Sequence, residues 1–166
     1  PAPKVETSTL HMLAATDDTD ARRHAMQLGQ AIEALNALGQ TPLNIAENKN
    51  RPANIEVLLA YRANLHAKTQ KEKIDALYLA CAHDSRDAVK RLVANGGKLD
   101  SAAPNGWTAV HVAAINGRDA VLQLLHDLGK DLSTLCPDGT PLDFARIHNR
   151  DSTVQLLKRL GAKKGA

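Results

Sequence analysis

Seven histidines and two cysteines are the side chains in this 166-residue chain with the most chemistry to offer, so metal coordination is the first chemistry to test. The one close pairing of ligand types is Cys81-Ala82-His83. A single intervening residue puts those two side chains on different faces of a helix. There is no glycine-rich phosphate loop, no Gly-x-Ser-x-Gly and no His-Glu-x-x-His. Asp17 and Asp18 fall in an acidic loop with no apolar wall beside them to perturb their titration. Asp143 stands at a helix start, where a carboxylate has the plain role of a cap. No catalytic residue, no metal site and no cofactor is expected of this chain.

The elements that must carry these side chains announce themselves through repetition. A short phrase recurs five times: Ser8-Thr9-Leu10-His11, Thr41-Pro42-Leu43-Asn44, Asp75-Ala76-Leu77-Tyr78, Thr108-Ala109-Val110-His111 and Thr140-Pro141-Leu142-Asp143. Its starts are spaced by 33, 34, 33 and 32 residues. A fixed period of that size marks a stack of like units, none able to bury its apolar face alone. Each phrase opens with Ser, Thr or Asp, which can cap the free N–H groups of a first helical turn. Pro42 and Pro141 follow at the first helical position, where a missing N–H is harmless. Small residues (Ala46, Ala80, Ala113, Ala145) then allow close helix packing. Asn50, Asp84, Gly117 and Asn149 share one turn position and suit a left-handed helix end. A second helix is expected over Ile55 to Leu59, Ala88 to Val93, Val121 to Leu125 and Val154 to Leu157. It stops at Gly96, Gly129 or Gly161. Turns such as Pro104-Asn105-Gly106 and Pro137-Asp138-Gly139 restart the cycle.

Helix, turn, helix and β-turn finger at this period, with a Thr-Pro-Leu-His-like phrase, resembles the ankyrin repeat family. The resemblance covers about residues 8–164. It implies an all-α solenoid of helix-turn-helix units whose β-turn or hairpin fingers border a concave groove. The expected organisation is an N-terminal extension over 1–7 and one domain over 8–164, with repeats starting near 8, 41, 75, 108 and 140. The departures are specific. The finger before the third unit is longer than the others by one residue (Lys71, Glu72, Lys73, Ile74), and the last finger is shorter by one. Arg62 replaces a terminal glycine, which predicts mild backbone strain. Polar residues at Arg22 and His24, and at Lys158 and Arg159, suggest capped ends and a finished five-repeat molecule.

The same resemblance gives the ligand-type residues structural roles. His11 and His111 occupy the fourth phrase position, where a hydrogen bond to a neighbouring unit is implied. His83, Asn116 and His148 share another position, so they form a ladder about one repeat apart, too far for shared coordination near 2 Å. Units roughly 10 Å apart, as the resemblance implies, leave Cys81 and Cys136 as two free thiols, because a disulfide needs Cα atoms within about 7 Å. Trp107, the lone tryptophan, takes a position that points into the groove in this family. It is expected exposed as a binding hot spot; the alternative is that it folds onto the next finger and only packs. Candidate partner-binding residues are Trp107, Asn105, Ile115, Asn116, Lys71, Lys73, His83, Gln40, Lys49 and His148. They suggest a neutral patch (Trp107, Ile115, Asn116) beside a basic one (Lys49, Lys71, Lys73), fitting a protein with an acidic rim.

The composition fits such a surface. Aromatics are 2% and apolar residues 43% of the chain, so small aliphatics fill the core, and no apolar run nears the roughly 18–20 residues of a membrane span. A net charge of +3 is too mild to impose nucleic-acid binding, and few aromatics are present to stack bases. The leading expectation is a non-catalytic module that binds one partner protein, inhibiting or protecting against an enzyme such as a hydrolase. It resembles small bacterial ankyrin proteins of the immunity type, and no small-molecule substrate or membrane is expected. A scaffold or secreted effector, and a weak nucleic-acid or anionic-surface binder, are the alternatives, and a monomer is expected on its own. The start Pro1-Ala2-Pro3-Lys4 without Met fits a trimmed chain or a mature periplasmic or secreted one, whereas unpaired thiols fit a reducing compartment such as the cytoplasm. The compartment stays open.

Overall fold

Polar caps and apolar triplets at helical spacing dictate short helices in pairs, and the computed structural model of the chain shows them. It describes residues 9–14, 18, 20, 23, 32–49 and 51–165. The expectations for residues 1–7, Ser8, Asp17, Arg22, His24 and Asn50 lie outside the described residues. The helices are α1 (Thr9–Ala14), α2 (Pro42–Asn48), α3 (Pro52–Ala60), α4 (Ala76–Ala82), α5 (Arg86–Ala94), α6 (Ala109–Ile115), α7 (Asp119–Asp127), α8 (Pro141–Ile147) and α9 (Asp151–Arg159).

The phrase sets each helix start by local chemistry. The side chain of Thr41 accepts from the Asn44 N–H, Asp75 from Tyr78, and Thr140 from Asp143. Asn44 and Asp143 return the bond by accepting from the Thr41 and Thr140 N–H groups, which completes capping boxes. Each second helix ends with the pair of bonds that satisfies last-turn carbonyls around a left-handed residue. Arg62 N–H donates to Leu59 O and Ala63 N–H to Leu58 O, and the same pattern recurs at Gly129–Lys130 and Gly161–Ala162. Arg62 holds φ 63° where Gly96, Gly129 and Gly161 hold 93°, 81° and 80°. The strain expected there is therefore present.

The first helices pack in one row, α1 on α2, α2 on α4, α4 on α6 and α6 on α8; the second helices pack in another, α3 on α5, α5 on α7 and α7 on α9. The rows meet over a core of small and aliphatic residues. Ala46, Ala80, Ala113 and Ala145 are wholly buried, as are Leu58, Leu92, Leu125 and Leu157. Each such leucine contributes about 1.5–3 kcal/mol by leaving water.

The fingers are turns, reduced to isolated bridges at Ala102↔Thr108 and Cys136↔Gly139. Their closing bonds run Asn36 N–H to Gln40 O, Thr69 to Ile74, Ala103 to Trp107 and Cys136 to Gly139. The finger before α4 thus closes one residue longer than that before α6, and the one before α8 one residue shorter, as the uneven spacing of the phrase requires.

Candidate functional site

A binding surface must be assembled from fingers and first-helix ends. The phrase histidines are committed elsewhere. His11 Nε2 donates to the Gln40 carbonyl at 2.8 Å and His111 Nε2 to the Gly139 carbonyl at 3.3 Å, each clamping one unit to the next finger. In His111 the other ring nitrogen accepts from the Thr108 N–H at 3.1 Å, which fixes the neutral Nε2–H tautomer. Burial, opposed by the bond to Gly139 and aided by the Lys130 charge, holds this imidazole's pKa below the usual value. Asp143 takes the same phrase position and accepts from Thr140 and from the Gly165 N–H. Burial raises its pKa, yet these donors together with Arg146 outweigh that and hold the carboxyl low.

Lys49, His83, Asn116 and His148 form one column, the residues that close α2, α4, α6 and α8. Lys49, His83 and His148 are exposed, and Asn116 is half-buried. Burial and the neighbouring Arg118 charge lower the His83 pKa. Asn116 Nδ2 and Arg118 Nε both donate to the Ala82 carbonyl, and Arg150 Nε donates to the Ile115 carbonyl. Within the column Asn116 therefore has a structural duty, which it shares with Arg118 and Arg150: each ties its unit to a carbonyl at the preceding first-helix end, where the helix dipole favours a donor or a cation.

Trp107 departs from expectation. It is half-buried rather than free-standing. Its indole N–H donates to Asp138 of the next finger at 2.9 Å, and its ring meets Phe144 edge-on with centroids 5.0 Å apart. The physical reason is the aromatic at Phe144, one phrase further on, where other units carry Ile45, Leu79 and Val112. Being the only phenylalanine, it is the sequence signal that would have placed the tryptophan.

Trp107 still lines a cleft, together with Asn105, Ile74, Tyr78 and Pro104. Ile115 and Asn116 do not join it, since a seven-residue helix, about 10 Å long, separates them from Trp107. The single neutral patch expected around Trp107 is corrected to two places. Lys71 and Gln40 meet across a second cleft that includes Leu38 and Gln70. Lys71, Lys73 and Asn105 are exposed, and Lys73 sits at φ 57° where the other fingers have glycine. Ile74, Tyr78 and Leu135 are the residues that sequence reasoning missed.

A family profile described as ankyrin repeats (3 copies) matches residues 46–136 and again 77–166. This chain belongs to the ankyrin-repeat family. Proteins of that family are non-catalytic protein-interaction modules as a rule, and the finger-and-helix face described above is the surface such a module offers. Among curated proteins, the chain is similar to the glycerophosphocholine phosphodiesterase gde1 of Schizosaccharomyces pombe, 34% identical over 83 residues. That match takes in 50% of this chain and spans only 7% of the phosphodiesterase's length.

Proposed function

We propose that residues 8–164 work as one five-repeat ankyrin unit whose groove covers a partner enzyme, such as a hydrolase, and inhibits it. The observation that supports the groove is where the most exposed apolar side chains fall. Among the described residues the three most exposed large apolar side chains are Leu135 (70%), Leu38 (69%) and Ile147 (68%), and all three lie on fingers or at a first-helix end. A single exposed leucine needs no explanation; here the most exposed apolar side chains all fall on the elements that border the groove. A partner laid across that border buries roughly 800 Å² per side in a stable complex.

The test is to capture partners from the source's lysate on the chain, purify the enzyme obtained, and titrate its activity with the chain. Activity falling to near zero at one equivalent supports inhibition. A bound enzyme that remains fully active sinks it. The scaffold reading would then lead, because Tyr61 (41% exposed) and Leu128 (40%), at the ends of second helices, offer a second apolar feature away from the groove.

A further inference from the structure

The cleft beside Trp107, about 440 Å³, lies between the finger before α4 and the finger before α6. It arises from a departure in the repeated phrase. His11 and His111 send Nε2–H to the carbonyl just ahead of the next phrase, that of Gln40 or Gly139. Tyr78 stands at the same place in its unit, and the corresponding carbonyl is that of Trp107, which accepts the finger's closing bond from Ala103 N–H, as the Gln40 and Gly139 carbonyls do from theirs, but no side-chain bond among the described residues. The Tyr78 hydroxyl has no hydrogen bond among the described residues, so this junction lacks the clamp. The walls are apolar: Ile74, the Tyr78 and Trp107 rings, and Pro104.

The site is also preorganised. The following unit holds Trp107 through Asp138 and Phe144, while the preceding unit supplies Ile74 and Tyr78. A rigid aromatic wall loses little entropy on binding. The charges around the cleft are unbalanced. Lys71 and Lys73 are exposed on its finger with no ion-pair partner among the described residues, and Lys68 Nζ is held nearby on the Ala102 carbonyl. The one carboxylate in the lining, Glu72, accepts from Thr69 Oγ1 at 3.2 Å and keeps its charge, so two exposed lysines face one carboxylate on this finger. The Asp138 carboxylate is taken by Trp107.

We propose that this cleft receives one large apolar side chain (Leu, Met or Phe) from an extended segment of the partner protein, and that Lys71 and Lys73 pair with acidic residues flanking it. The proposal rests on the interaction-module reading and names the chemistry of the partner. Apolar anchoring supplies the affinity, and the lysines set register and partner choice.

The test selects a random displayed peptide library against the chain and resynthesises the enriched peptides. Trp107, the only tryptophan, reports their binding through its own fluorescence. The expected winners carry one large apolar residue with Asp or Glu a few positions away. Tyr78→His restores the phrase residue and the clamp to the Trp107 carbonyl, so it should keep the fold, close the cleft and weaken binding about tenfold or more. Lys71→Ala with Lys73→Ala should weaken binding and flatten its salt dependence. No enrichment, enrichment of basic flanks, or peptides indifferent to Tyr78→His would overturn the proposal. A captured partner enzyme that binds Tyr78→His as well as it binds the parent chain overturns the cleft assignment and leaves the interaction reading standing. Peptides that behave as expected, with a captured enzyme that stays active, instead sink the inhibitor reading alone.

Discussion

Glu47, on α2, is wholly buried, and neither of its carboxylate oxygens finds a hydrogen-bond partner among the described residues. Burial alone pushes its pKa well above the usual carboxylate value, so the folded protein favours the protonated acid. The sign for stability follows from linkage. A carboxyl whose folded pKa is raised costs nothing below the unfolded value near 4.3, and the fold loses stability as pH climbs from there toward the folded pKa. His111 acts in the opposite sense. Its lowered pKa means that the stability it contributes is complete above about 6.5 and is lost as pH falls. Glu47→Met, an apolar side chain of similar length, should raise unfolding stability by about 1–3 kcal/mol at pH 8. It should do much less at pH 4.5. Urea unfolding at the two pH values checks this; a gain that is the same at both would mean that Glu47 is not held neutral by burial.

At the scale of the element, Arg62 tests how closely each helix end obeys its local chemistry. Its left-handed backbone carries a cost that Gly96, Gly129 and Gly161 avoid. Arg62→Gly should stabilise the chain by up to about 1 kcal/mol, less whatever the glycine adds to the freedom of the unfolded chain. Thermal unfolding of the pair decides it, and a lower midpoint in the glycine variant would show that the unfolded-chain term wins. Helix starts, helix ends and finger lengths are legible in the sequence because their causes lie within five residues: Thr41 with Asn44, Asp75 with Tyr78, Thr69 with Ile74. The orientation of Trp107 is not, because its partner Asp138 lies 31 residues on. The cleft beside it is hidden for the same reason, being the product of a clamp that Tyr78 cannot make one unit away. Candidate residues such as Asn116 and Gln40 were legible as surface positions, while their bonds to Ala82 and His11 come only from stacking.

Across the whole molecule, a stack with nearest-neighbour contacts is as stable as its junctions, and these are unequal. Arg118 ties α7 back to Ala82, and Arg150 ties α9 back to Ile115. At the equivalent place before α5 stands Ser85, whose buried hydroxyl has no partner among the described residues. Glu47 lies at this same junction, close to Cys81, whose thiol pKa is raised by burial first and then by the Glu47 carboxylate once it ionises. Besides the apolar packing of α2 on α4 and α3 on α5, the polar ties there among the described residues are the Gln70 N–H to Gly39 carbonyl bond and the Arg91–Glu56 ion pair. The latter is half-exposed and correspondingly weak. The pair α2–α3 should therefore part from α4–α5 in openings smaller than global unfolding. Cys81, wholly buried at that junction, reports such openings, and Cys136, buried in the finger before α8, serves as the internal reference. At pH 8, Glu47→Met should slow alkylation of Cys81 by about tenfold, the kinetic equivalent of roughly 1.4 kcal/mol. The rate at Cys136 should stay unchanged. Equal slowing at both thiols would mean that the stack opens as one piece, and no change at either would place the weak junction elsewhere.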